Sequence, residues 1–179
     1  AQADVENLNT YGAELARVNL RLARSGSGSN DQAALLDQRD NLLEKMSSLA
    51  SISTSFASDG TVAVSVGTAP PTSFVSGGTV GTMSSSIAAD GTMSFAINGT
   101  AISPGAGNLA GTTLALVDLA DARSRMDAAA ASIADAINTA QTNGVARDGT
   151  AGQPIFSGTT AATLSVVMAS GAGIATAPA

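Results

Sequence analysis

Cysteine, histidine and tryptophan are all absent from this 179-residue chain. Their absence removes disulfides, thiolate nucleophiles, the usual zinc sites and histidine-dependent catalysis, so that an enzyme built on this sequence would run on carboxylates, Ser, Lys or Tyr. Aromatic residues make up only 3% of the chain, although 44% of it is hydrophobic. Alanine, serine, threonine and glycine dominate, which favours packing by close backbone approach over packing by bulky side chains. Positive charge is also scarce: 8 Lys and Arg stand against 14 Asp and Glu, for a net charge of −6. That balance argues against nucleic acid or an anionic membrane as a partner. No apolar run approaches the ~20 residues that span a bilayer, and the first residues lack the basic and apolar regions of a signal peptide. The sequence starts without Met and inside a helical pattern, and is expected to be an internal fragment.

What is present is helical periodicity. Over residues 32–50 (QAALLDQRDNLLEKMSSLA), Leu35, Leu36, Leu42, Leu43, Met46, Leu49 and Ala50 fall on one arc of a helix; Asp37, Asp40, Asn41, Glu44, Lys45 and Ser48 fall on the other. Arg39 breaks the pattern by projecting from the apolar arc, where a guanidinium must snorkel out or find carboxylates or carbonyls on a neighbouring helix. Upstream, Leu8, Tyr11, Leu15, Val18 and Leu22 are spaced 3, 4, 3, 4, an a/d heptad seam within residues 1–24. Ser25-Gly26-Ser27-Gly28-Ser29 reads as a flexible connector, with Ser29, Asn30 or Asp31 as N-cap of the next helix, so the two segments form an antiparallel hairpin.

After Ala50 the period falls to two. Ile52, Thr54 and Phe56, then Val62, Val64 and Val66, flank Asp59-Gly60, a hairpin signal; Gly77-Gly78, Asp90-Gly91 and Asn98-Gly99 mark further turns. Residues 51–103 read as an antiparallel meander of four to six short strands. Helical spacing returns with Thr112, Leu116, Leu119, Arg123, Met126, Ala130, Ile133, Ile137 and Ala140, and Gly144 is placed to end that helix. The expected fold is α+β: long amphipathic helices in a rod-like bundle (residues 1–50 plus 106–143), a small antiparallel β insertion (51–105), and an irregular segment (144–179) leading to a further C-terminal helix.

Candidate chemistry is sparse. Arg39 and Arg123 could mark an anionic-ligand site between helices, but no phosphate-binding loop accompanies them. Pairing with carboxylates such as Asp4, Glu14, Asp118 or Asp127, fixing helix register, accounts for both. Asp37, Asp40 and Glu44 lie on the polar arc and read as a solvated face rather than a paired-carboxylate site. Asp148-Gly149-Thr150-Ala151-Gly152 lacks the ligand spacing of a calcium loop and reads as a turn. Asn98-Gly99-Thr100 matches a glycosylation sequon but is first a hairpin turn. Tyr11, the one tyrosine, sits in a seam. No metal, cofactor or catalytic constellation is expected.

Leu35-Leu36-Asp37-Gln38-Arg39-Asp40-Asn41-Leu42-Leu43 closely resembles the "LLDQRD-x-L" segment of the bacterial flagellar hook-associated proteins that form the first layer of the hook–filament junction. The likeness continues in a preceding helix, a Ser-Leu-Ala-Ser-Ile exit to an Asp-Gly hairpin, and the "G-x-L-x-G" opening Gly107-Asn108-Leu109-Ala110-Gly111. It extends through Ala136, Asn138 and Gly144 to a "D-G-x-x-G-x-P-x-F" loop matched by Asp148, Gly149, Gly152, Pro154 and Phe156. The terminal polymerisation segments of that family are not in the sequence. The resemblance implies a non-enzymatic structural protein, exported through the flagellar type III channel without a cleaved signal peptide and located outside the cell at the junction. It implies hook subunits, copies of itself and the second junction protein as partners, and a monomeric isolated fragment. Leu35, Leu36, Asp37, Gln38, Arg39, Asp40, Leu42, Leu43 and Arg123 are its structural motif and seam residues. A flagellin or second-junction-protein fragment, a surface adhesin and a carboxylate-dependent hydrolase are the competing readings.

Overall fold

The computed structural model describes residues 1–25, 30–68 and 70–178. The connector positions 26–29, including the N-cap expected at Ser29, lie outside the described residues. Among the described residues the fold is α+β, with three α-helices and a β-meander between the second and third. It divides into two compact units, residues 1–117 and 118–179.

In the first unit, α1 (Gln2–Leu22) and α2 (Asn30–Leu49) pack as the expected hairpin. The seam residues Leu8, Leu15, Val18 and Leu22 of α1 are buried, as are Leu35, Leu42, Met46 and Leu49 of α2. A second face of α1 is buried as well, made of Val5, Gly12, Ala16 and Asn19. It lies against a sheet. Strands β1 (Ile52–Phe56), β2 (Val62–Val66), β3 (Thr72–Ser76) and β4 (Thr79–Val80) form one antiparallel sheet in that order, and β5 (Met83–Ile87), β6 (Met93–Ile97) and β7 (Thr100–Ile102) form another. Among the described residues the meander therefore has seven strands in two sheets, more than the four to six expected. Its extra pieces are two- and three-residue strands such as β4 and β7, too short to show a period.

A bulge in β3 explains how a sheet poor in aromatics still fills its core. Between the pairs Val64↔Val75 and Ser65↔Ser73 the register shifts, leaving Phe74 as the extra residue, and consecutive Phe74 and Val75 are both buried. Phe74 lies over Gly12, where an added Cβ would come within 2.6 Å of its ring. Phe74, Met83, Phe95 and Ile97 thus belong to the same core cluster as Leu8, Leu15, Leu42 and Met46.

Packing draws the boundaries differently from the sequence expectation. Residues 51–105 are not a separate insertion: they share one core with 1–50, because the second face of α1 has no other cover. The third helix, α3 (Gly107–Thr142), joins that core through Leu109, which is buried in the same cluster as Leu49. Gly107 has a φ of +75°, and a Cβ there would meet the Leu49 carbonyl carbon at 2.6 Å, so the Gly-x-Leu opening is a steric requirement.

The second unit holds the rest of α3 and four short strands. Strand β8 (Gly144–Ala146) pairs with β11 (Ala175–Pro178), and β9 (Phe156–Ser157) with β10 (Ser165–Val166). A single 3-10 turn at Gly171–Gly173 precedes β11. The segment 161–168, open between helix and strand on its sequence, is a turn followed by β10.

Candidate assembly surface

The motif on α2 splits by side. Leu35 and Leu42 are buried, Leu36 and Leu43 half-buried against the core, and Asp37, Gln38 and Asp40 exposed. Gln38 lines a shallow hollow with Glu14, Arg17, Val18 and Arg21 of α1. The motif is thus a packing face with a polar back, and its carboxylates do not converge. Among the described residues no group of three acidic side chains could hold a metal, and no helix is long and apolar enough to cross a membrane.

Arg39 finds its partners elsewhere than expected. Its Nη1 donates to the carbonyl of Gly60 at 2.7 Å, its Nε and Nη2 reach Asp40 Oδ1 at 2.8 and 2.7 Å, and its guanidinium lies 4.8 Å from the centre of the Phe56 ring. The partners are a neighbour on its own helix and the β1–β2 hairpin, and none of the carboxylates Asp4, Glu14, Asp118 and Asp127 takes part. Gly60 has a φ of +85°, and a Cβ there would lie 2.9 Å from Leu36, so glycine permits the close approach that puts its carbonyl within reach of Arg39. Arg39 therefore docks the first hairpin onto α2 and lies over the Phe56 ring, which remains 56% exposed.

Arg123, in the second unit, has no ion pair among the described residues and is exposed. It lies in the stripe of Leu119, Met126, Ile133 and Ile137, which are 45, 63, 57 and 37% exposed. The expected seam exists as a pattern but faces no helix of its own unit. Asp127, expected as a partner, instead accepts the backbone N–H of Ala161 at 2.8 Å.

Four amides tie the helices to the strands and loops beside them. Asn19 is 1% exposed; its Nδ2 donates to the carbonyls of Val62 (2.8 Å) and Gly77 (3.0 Å), and its Oδ1 accepts the Val62 N–H (3.0 Å). Asn9 grips Met83 in the same way, donating at 2.9 Å and accepting at 2.8 Å. In the second unit Asn138 accepts the N–H groups of Ile155 and Phe156 and donates to the Phe156 carbonyl, while Gln141 donates to Gly173 and accepts from Ala175. Each amide stands in for a missing neighbouring strand, offering the donor and acceptor that a strand would supply. The signal for Asn9 and Asn19 is the run Val5, Asn9, Gly12, Ala16 and Asn19, a second 4, 3, 4, 3 series beside the leucine seam.

Three exposed turns share one construction. In Ala57-Ser58-Asp59-Gly60-Thr61, Ala88-Ala89-Asp90-Gly91-Thr92 and Ala146-Arg147-Asp148-Gly149-Thr150, the aspartate Oδ1 accepts both the N–H and the hydroxyl of the threonine two residues on. These bonds hold all three carboxyls below the usual aspartate range: the Thr61 backbone N–H is the leading cause at Asp59, the threonine hydroxyl at Asp90 and Asp148. Asp148 is thus a turn residue.

The model of the flagellar hook-associated protein FlgK helical domain matches residues 1–156. No curated protein matches. Among solved structures, the flagellar hook junction protein FlgK from Burkholderia pseudomallei is similar, with a TM-score of 0.66 and 25% identity over 87% of this chain. The chain spans 30% of the length of that protein. With a family match over most of its length, and with the same ordered helices and meander, this chain belongs to the flagellar hook-associated protein FlgK helical-domain family.

Proposed function

We propose that the chain is part of a structural, non-enzymatic protein of the bacterial flagellum, working at the junction between hook and filament. The observation that carries this reading is the family match over residues 1–156. The exposed stripe of α3 supports it, since four large apolar side chains at heptad spacing suit helix packing within an assembly better than exposure to water. In the assembled protein this stripe is covered by further helical segments. Hook subunits, copies of the same protein and the second junction protein are the neighbours, outside the cell, after export through the flagellar type III channel without signal cleavage.

The mechanism is mechanical. Helices transmit load, and the two sheets brace the α1–α2 hairpin through the amide clamps, so that the first unit moves as one block between a bending hook and a stiff filament. The test is an in-frame deletion of residues 1–117 from the full polypeptide in its native host. The expected outcome is hooks without retained filaments and filament subunits shed to the medium; intact filaments and normal swimming would refute the reading.

A further inference from the structure

We propose that Asn143 is a site of spontaneous backbone modification, deamidation to aspartate and isoaspartate, and that the fold shields Asn98 from the same reaction. Both residues precede glycine, as Asn98-Gly99 and Asn143-Gly144. Glycine lacks the Cβ that would crowd its own amide nitrogen. In the first step the deprotonated glycine nitrogen attacks the asparagine Cγ, the bond from Cγ to the side-chain nitrogen breaks, and ammonia leaves behind a five-membered succinimide ring. Water then opens the ring. Attack at the side-chain carbonyl gives aspartate; attack at the backbone carbonyl gives isoaspartate, whose main chain runs through the side chain and is one methylene longer.

The two steps differ in geometry. Asn98 has a φ of +50° in the tight turn between β6 and β7. In the left-handed well ψ is about +47°, which places the Gly99 nitrogen on the far side of Cα from Cβ and out of reach of Cγ. Two bonds to Thr82 hold that conformation: the Asn98 N–H donates to the Thr82 carbonyl at 3.0 Å, and Oδ1 accepts the Thr82 N–H at 2.9 Å. Attack needs the reacting atoms aligned and in contact, so it needs this turn to come apart. Asn143 has neither restraint. It lies outside the left-handed region, it is exposed, and its side chain makes no hydrogen bond among the described residues. With Gly144, Ala175 and Ala177 it borders a hollow of about 350 Å³ that admits water. Gly144 is buried, but its strand β8 belongs to a two-stranded sheet with β11, and the register between them is irregular at 175–177. A ladder this short opens locally at little cost, and each opening frees the Gly144 nitrogen.

The product disturbs the second unit. The Gly144 carbonyl accepts the Gly152 N–H at 2.9 Å, and a Cβ at Gly144 would lie 2.7 Å from that of Ala175, so β8 is fitted closely on both counts. A main chain one methylene longer between α3 and β8 shifts Gly144 out of that fit. The new carboxylate at the C-terminal end of α3 also opposes the helix dipole. Isoaspartate at position 143 therefore unclips β8 from β11 and from Gly152.

The test incubates the full polypeptide in mildly alkaline buffer, folded and in urea, and follows both Asn-Gly peptides by mass spectrometry, with isoaspartate identified by enzymatic methylation. Expected are conversion at Asn143 many-fold faster than at Asn98 in the folded protein, comparable rates at the two positions in urea, and no conversion at position 143 in Asn143→Gln. Equal rates in the folded protein, faster conversion at Asn98, or no conversion at Asn143 would overturn the assignment of the site. Slow conversion at Asn98 in urea as well would overturn the shielding by the turn. Hydrogen exchange at residues 144–146 and Gly152 is then compared in fresh protein, aged protein and Asn143→Asp. Faster exchange in the aged protein than in Asn143→Asp is the expected result. Equal acceleration in the two would assign the loosening to charge and overturn the role of the longer backbone, and unchanged exchange would overturn the unclipping.

Discussion

Asn19 carries more of this fold than any charged residue does. Its amide bonds three backbone groups from inside the core, and a buried donor or acceptor left without its partner costs about 1–3 kcal/mol. Asn19→Ala should therefore lower the unfolding free energy by about 3 kcal/mol in urea titrations, and Asn9→Ala, at a half-buried site, by about 1–2 kcal/mol. Gly12 makes the complementary case. Alanine is the better helix former by about 1 kcal/mol, yet its Cβ would sit 2.6 Å from the Phe74 ring. Overpacking of that kind costs about 1–3 kcal/mol, so Gly12→Ala should be destabilising overall, and a raised urea midpoint would show that the ring yields. These positions form a heptad series as regular as the leucine seam. They read as a solvent face because Gly, Ala and Asn are small or polar, and only the sheet lying on them makes that face interior.

The hairpins are the elements most nearly written in the sequence, because turn chemistry is local. Asn98-Gly99 joins β6 to β7 with φ values of +50° and +82°, as the dipeptide demands. The three Ala-x-Asp-Gly-Thr turns likewise close without tertiary help. Their aspartates have folded-state pKa values below the unfolded ones, so their contribution to stability is present above the unfolded value and lost as pH falls through the folded one. The urea midpoint should stay level down to about pH 5 and drop below about pH 4. Changing Asp59, Asp90 and Asp148 together to Asn should flatten that acid limb; an unaltered acid slope would place its origin in other carboxylates. Arg39 is the tertiary counterpart. Arg39→Met keeps the packing but gives up the bond to the Gly60 carbonyl, and should cost about 1–2 kcal/mol. A neutral result would mean that the hairpin docks on Leu36 alone.

At the scale of the molecule, the sheets and the helical hairpin stand or fall together. The sequence suggests a β insertion that could be lifted out, but Phe74, Met83, Phe95 and Ile97 share one core with Leu8, Leu15, Leu42 and Met46. Deleting residues 51–103 would uncover Val5, Gly12, Ala16 and Asn19 together. The shortened first unit should therefore show no cooperative thermal transition, and a sharp transition would return the meander to the status of an independent insertion.

The sequence by itself determined the three helices, the face of each that is apolar, the hairpin turns and the family, because helical period, turn residues and short motifs are properties of neighbours along the chain. It also placed Leu35, Leu36, Leu42 and Leu43 on a packing arc with Asp37 and Asp40 behind them. Only the tertiary structure decided which faces meet: that the small, polar side of α1 lies under a sheet, that Arg39 reaches a turn carbonyl, that Asp127 serves a loop, and that the seam around Arg123 stays exposed. The physical reason is that a seam states the need for a partner without stating which partner. That choice depends on the free energy of covering one face rather than another, and is settled between groups far apart in the chain.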